Sequence, residues 1–223
     1  MSTGIKHLSP LRRRDGVTHD QLVAHWRDPH AVGVKAFMRP DRYAITFFDQ
    51  REGRAQYDGM ASVAFDDLDD ALTRTGRNMA PEVANDGFVD LVQTPMTRLQ
   101  VIEHVIVPGP AGGPATAEER EAAYKMTFLV SANEGEDLAD LHRHWLEIHA
   151  PNVASSFVAA GGVRYVVNLV DRAAKDQPFA GVAELSYRDR DAFKGHKIAD
   201  DGFNARTTGI ALSGREYIVT PRG

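Results

Sequence analysis

The sequence predicts an α+β fold built from two ferredoxin-like β-α-β-β-α-β repeats that form an intramolecular α/β-barrel. Three observations lead there. The chain repeats itself: His25-Trp26-Arg27-Asp28-Pro29-His30-Ala31 returns as His144-Trp145-Leu146-Glu147-Ile148-His149-Ala150 at an offset of 119 residues, with Lys6, Gly16 and Leu22 meeting Lys125, Gly135 and Leu141. The offset then becomes 122, where Arg42-Tyr43, Asp49, Gly59 and Ala61 meet Arg164-Tyr165, Asp171, Gly181 and Ala183. Asp86-Gly87-Phe88 meets Asp201-Gly202-Phe203, Glu103 meets Glu216 and Pro108 meets Pro221. Matches in one unbroken order, with the rare Trp and His among them, mark a duplication. A Gly/Pro/Ala stretch from Gly109 to Thr116 separates the copies and reads as a linker. Each copy then runs strand, helix, strand, strand, helix, strand, the split βαβ order.

The elements follow in turn. First strands are expected at Ile5–Leu11 and Tyr124–Ser131. A helix follows each, the first opened by a capping box of Thr18 and Gln21. Second strands are apolar runs, Tyr43–Phe48 and Tyr165–Val170, and third strands are Gly59–Phe65 and Gly181–Tyr187. A short helix with an acidic start comes next, Asp67–Arg77 or Asp189–Ala199. Last strands are Gln100–Val107 and Arg215–Thr220. The repeats therefore span 1–108 and 119–223, with a linker at 109–118. A sheet covered by helices on one face leaves the other bare, and two such sheets packed bare face to bare face satisfy both. Further association through outer surfaces, a homodimer, stays open.

Composition narrows the function. The 223 residues are 43% apolar, enough to bury a core, with a net charge of −5 and a pI near 6.0. The basic residues are scattered, and the run Arg12-Arg13-Arg14 precedes the turn Asp15-Gly16, so no nucleic-acid partner is expected. The absence of cysteine excludes disulfides, thiolate nucleophiles and Cys-ligated metals. No signal-peptide-like stretch or membrane-length apolar run is visible, and the cytoplasm is the expected location.

The chemistry-bearing residues cluster on the first helix of each copy. At about 100° per residue, with Leu22 as origin, Trp26, Phe37, His30 and Val34 fall within one apolar stripe, and Leu141, Trp145 and His149 repeat it. His25 and His144 fall outside the stripe, at its rim, and His142 takes the slot of Val23. An inward histidine reads as a general acid/base or as a core residue satisfied by one hydrogen bond. On the third strand, Gly181, Ala183, Leu185 and Tyr187 share one face and Val182, Glu184 and Ser186 the other. Glu184, if buried, needs a partner, and His149 is the expected one; a surface pairing with an arginine is the alternative. His7 and His104 have no histidine counterparts, and if they join His30 in one cavity the first half holds the richer site. Trp26 and Trp145 read as core, or as walls for a flat aromatic ligand. The spacings suit no metal ion, and no phosphate loop or nucleophile elbow is present.

The lead Gly16-Val17-Thr18-His19-Asp20-Gln21-Leu22 into His25-Trp26-x-x-x-His30-Ala31 resembles the EthD family. Arg42-Tyr43, Tyr57-Asp58-Gly59 and Phe179-Ala180-Gly181-Val182-Ala183-Glu184 carry the same likeness, which covers nearly the whole chain twice. The resemblance implies a dimeric α/β-barrel fold and enzymes that mostly need no cofactor. It maps the family's helix histidine onto His30 and His149 and its strand glutamate onto Glu184, with Ser62 in the first half. The expected site is therefore His30, His149, His7, His104 and Glu184 for catalysis, with Trp26, Trp145, Tyr43, Tyr165, Arg42 and Arg164 around a substrate. The expected function is cofactor-independent acid–base chemistry of lyase, isomerase or cyclase type on a phenolic, lactone or polyketide small molecule. The alternatives are a cofactor-free quinone-forming monooxygenase and a non-catalytic binding protein.

Overall fold

The computed structural model describes residues 4–50, 56–67, 85–110, 113–171 and 177–220. Its strands are β1 (Ile5–Leu11), β2 (Arg42–Phe48), β3 (Gly59–Phe65), β4 (Leu99–Val107), β5 (Tyr124–Ala132), β6 (Gly162–Val170), β7 (Gly181–Tyr187) and β8 (Thr207–Thr220). The fold is α+β, with the strands hydrogen-bonded in the order β1-β3-β2-β8-β5-β7-β6-β4 in one closed antiparallel sheet. The chain divides into two compact units, residues 1–100 with 217–223 and residues 101–216. No described helix is long and apolar enough to cross a membrane.

In the first unit, β3 lies between β1 and β2, with Leu8 opposite Ser62 and Ala44 opposite the same serine. Thr18 starts α1 (His19–His25) through the expected capping box: its hydroxyl accepts the Gln21 N–H at 3.1 Å, and its own N–H donates to the Gln21 amide oxygen at 2.8 Å. The helix then widens over Trp26–His30, where the Ala31 N–H reaches back five residues to the Trp26 carbonyl, and resumes as α2 (Ala31–Met38). Such π-type turns shift the phase of everything downstream. That is why Phe37, expected in the apolar stripe, is 42% exposed while Trp26 and Val34 are buried. The helices cover one face of the sheet through Leu22, Trp26, Val34, Tyr43, Ile45 and Phe88. A short α3 (Phe88–Leu91) follows. Residues 68–77 of the expected Asp67–Arg77 helix lie outside the described residues.

The second unit repeats the plan with α5 (Leu138–His144), a π-type turn over Trp145–His149 and α6 (Ala150–Phe157), followed by α7 (Arg190–Gly195) and α8 (Phe203–Arg206). Its core joins Leu141, Trp145, Phe157, Tyr165, Leu185 and Tyr187. Gly59 and Gly181 are required in the two units: a Cβ there would stand 2.8 Å from the Trp26 or Trp145 ring, which rests directly on the strand backbone. Two details differ from expectation. Thr116 caps a helix, α4 (Ala117–Ala122), that starts at the end of the stretch read as linker and runs into the second repeat. The last strand begins at Thr207 rather than Arg215 and pairs with β5 from Ala132↔Thr207 to Lys125↔Gly214; its small residues Gly209, Ser213 and Gly214 break the apolar alternation that marks a strand.

Candidate active site

Each unit carries the same three-residue device. Gly202 has φ of +80°, a conformation that glycine adopts without strain, and the turn it makes lets the Asp201 carboxylate accept the Phe203 N–H at 3.1 Å. The turn aims Asp201 at His149, whose Nδ1 lies 2.9 Å from the carboxylate, and stacks the Phe203 ring on the imidazole with centroids 4.1 Å apart. Asp86, Gly87 and Phe88 do the same for His30, at 2.7 Å to Nδ1 and 3.9 Å between ring centroids, with φ of +86° at Gly87. A carboxylate on Nδ1 fixes Nδ1 as the protonated nitrogen and leaves Nε2 as a base. In the second unit Asn152 adds a donor, its amide bonding the Asp201 carboxylate at 2.7 Å.

Burial pulls both histidines below their usual pKa, opposed by the hydrogen bond and charge of Asp86 or Asp201, so both are neutral bases near pH 7. Burial pushes Asp201 up, but the bonds from Asn152, the Phe203 N–H and His149 together bring it below the usual range.

In the second unit the dyad opens on a cavity of about 820 Å³ lined by Trp145, His149, Tyr165, Tyr187, His196 and Phe203, among others. That volume suits a drug-sized or polycyclic ligand. Burial raises the pKa values of Tyr165 and Tyr187, so both remain phenols.

The sheet separates the expected residues into two sets. His149, Trp145 and Tyr165 share the helix-covered side. Glu184 and Arg164 do not, because alternation along β7 and β6 turns them to the other face. Glu184 is 4% exposed and is not the partner of His149: it lies 2.6 Å from the Lys125 ammonium and accepts from Asn168 at 2.9 Å. Lys125 also bonds Glu216 at 2.7 Å, which holds Arg120 at 2.8 Å, and Arg164 stands 3.8 Å from Glu103. The surface alternative for Glu184 fails as well, since this is a buried ion network. Arg42 likewise alternates with Tyr43 and stands 3.8 Å from Asp66.

Of the remaining expected residues, Trp26 and Tyr43 pack in the first unit's core beside the His30 device. His7 lies opposite Val63 in that unit, whereas His104 belongs to the second unit opposite Val167, so His7, His30 and His104 do not gather in one unit. Burial lowers the pKa of both extra histidines. His142 is a core histidine donating to the Ala180 carbonyl at 2.8 Å. His25 and His144 stand beside Phe88 and Phe203, at 6.3 and 6.1 Å between ring centroids. No cluster with metal-ligand composition occurs among the described residues. Asp86, Asp201, Asn152 and His196 were not singled out from sequence. The repeated Asp-Gly-Phe was the available signal for the two aspartates.

No family model matches the chain, and no curated protein matches it by sequence. Solved structures do. A candidate monooxygenase from Fusobacterium nucleatum shares 9% identity over 98% of this chain and 93% of its own, with a TM-score of 0.65. An anthrone oxidase-like protein shares 10% identity over 100% and 98%, also at 0.65. A candidate chlorite dismutase matches 97% and 96% at 10% identity and 0.53. The chain shares with them an α+β fold whose eight strands close into a barrel. At these identities the likeness reaches the fold and stops there.

Proposed function

We propose that the chain, in repeats spanning 1–108 and 119–223, is a small-molecule enzyme of EthD type that acts on a hydrophobic oxygenated aromatic by acid–base catalysis at His149 of its second unit. The observation that carries this reading is the His149–Asp201 dyad opening on an aromatic-lined cavity. With Nδ1–H donated to Asp201, Nε2 takes a proton from a phenol or from carbon beside a carbonyl, and the imidazolium formed is stabilised by the aspartate. Tyr165, which lines the same cavity, then donates to the enolate-like oxygen that develops. Returning the proton elsewhere on the substrate gives isomerisation, cyclisation or elimination.

A second reading follows from the same base. An electron-rich anion formed in the cavity can hand electrons to dioxygen, in keeping with the anthrone oxidase-like and candidate monooxygenase neighbours. Oxygen uptake during turnover separates the two.

The test begins with a thermal-shift screen of hydroxyaromatics and lactones, where a ligand raises Tm by mass action. Turnover of the hit is then compared in wild type, His149→Gln and His30→Gln. His149→Gln should lose on the order of 10²–10⁴ in rate at unchanged Tm. Full activity in a folded His149→Gln overturns the reading.

A further inference from the structure

At the cavity wall formed by β7 and α7, a second pair of groups has its hydrogen positions dictated by its neighbours. The Tyr187 hydroxyl lies 2.9 Å from His196 Nδ1. His196 Nε2 lies 3.1 Å from the Val153 carbonyl and 3.1 Å from the Ser156 hydroxyl oxygen. A carbonyl can only accept. The Ser156 hydroxyl has given its proton to the Lys197 carbonyl at 3.0 Å, so toward His196 it can only accept as well. Nε2 therefore carries the ring proton, and Nδ1 of the neutral ring is an acceptor. Tyr187 must then spend its one O–H on Nδ1, which leaves its oxygen only lone pairs; both residues line the cavity.

We propose that Tyr187, held by His196, gives this cavity a hydrogen-bond-accepting wall that selects flat aromatic ligands bearing a hydroxyl at that end. This deepens the reading of the cavity as a substrate site, and rests on it. His149 Nε2 is also an acceptor, so the cavity offers acceptors at two places, and the matching substrate class is a polyhydroxylated aromatic rather than a carboxylate or a simple ketone. Burial keeps His196 neutral, opposed by its bond to the Val153 carbonyl, which preserves the arrangement near pH 7. Phe157 and Phe193 pack on the Tyr187 ring at centroid distances of 5.0 and 5.4 Å and hold it in place. In the first unit the equivalent strand end is Phe65, which has no hydroxyl.

The probes are naphthalene-1,5-diol and 5-methoxy-1-naphthol, which differ by one hydrogen-bond donor, and the measurement is calorimetric Kd on the full chain. Wild type should favour the diol by about tenfold or more, because the ether leaves the Tyr187 oxygen unpaired. Tyr187→Phe should flatten that ratio toward one. His196→Leu frees the Tyr187 O–H to turn into the cavity as a donor, so its ratio should fall below wild type and shift toward the ether. A purely structural role for His196 would leave the ratio where it was. Equal affinities in wild type, failure of the diol to bind, or a wild-type ratio surviving in both variants overturns the proposal. None of these readouts depends on turnover, so a failed His149→Gln test leaves them standing.

Discussion

The His30 and His149 sites are copies of one device with different surroundings, and the difference separates what the duplication keeps from what makes a site. Both keep the Trp on the strand glycine, the π-type turn and the Asp-Gly-Phe turn that clamps the imidazole. Around His149 stand Asn152 on the aspartate, Tyr187 with His196, and a cavity of about 820 Å³. Around His30 the slot of Asn152 is Gly33 and that of Tyr187 is Phe65. The clamp alone explains a well-placed neutral histidine. Among the described residues the second unit adds polar groups that a packing role does not require, which favours His149, whereas His7 and His104 had favoured the first half in the sequence.

The largest expected effect concerns the other face of the sheet. Lys125 stands between Glu184 and Glu216, all buried. Lys125→Met takes the cation from between two buried carboxylates; Glu216 keeps Arg120 and Glu184 keeps Asn168, so the loss should be about 3 kcal/mol, the low end for breaking a buried pair, read from urea unfolding. In the first unit Lys6 takes the Lys125 position, but Ser62 replaces the Glu184 carboxylate. Lys6→Met should therefore cost less. Equal losses would mean that the Glu184 contribution to the network is negligible.

Next come the two aspartates. Asp201→Asn replaces an acceptor with a group that can donate to Nδ1, which favours the tautomer lacking a base at Nε2. Turnover should fall on the order of 10²-fold, while Asp86→Asn should leave it unchanged. A loss from Asp86→Asn that matches Asp201→Asn would make the two sites equal partners. The pH dependence has a definite sign. Both histidines resist protonation in the folded protein relative to the usual 6.5. The unfolded chain binds more protons below that value, so their contribution is fully present above about pH 6.5 and is lost as pH falls through the lowered folded-state values. The acid limb of activity should likewise lie below 6.5, and it should move further down in Asp201→Asn if residual activity permits its measurement.

The outcome of reading the chain from sequence turns on what a periodic pattern can encode. Gly59–Phe65 and Gly181–Tyr187 are found as expected, because apolar runs bounded by turns define strands locally. Alternation sorted Glu184 away from Ala183 and Leu185 correctly, yet alternation names two faces without saying which one the helices cover. Lys6 with Lys125 and Glu103 with Glu216, charges repeated at strand positions in both halves, were the legible sign that one face of the strands carries charge. The helical wheel held through Trp26 and His30 and failed at Phe37, because the backbone bond from Ala31 to the Trp26 carbonyl changes the phase and leaves no mark in hydrophobicity. The Asp86 and Asp201 partnerships span 56 and 52 residues and could be recovered only through the repeat itself.

The smallest expected effect tests whether Asn152 matters to the site or merely to the helix. Its amide donates to Asp201 at 2.7 Å and to the Ala199 carbonyl at 2.8 Å, tying α6 to the loop that carries the aspartate. Asn152→Ala removes both bonds and should lower stability by about 1 kcal/mol. Alanine is the better helix former, which offsets part of that loss. Because Asp201 keeps the Phe203 N–H and His149, it stays ionised, and kcat should fall only a few-fold. Gly33→Ala is the matching change in the first unit. No side chain is lost there and glycine is costly inside a helix, so stability should rise by about 0.5–1 kcal/mol. Opposite signs at the two equivalent positions, measured by thermal melts in one buffer, would show Asn152 to be an addition to the duplicated scaffold. A gain in stability from Asn152→Ala with unchanged kcat would show instead that Asp201 needs no third support.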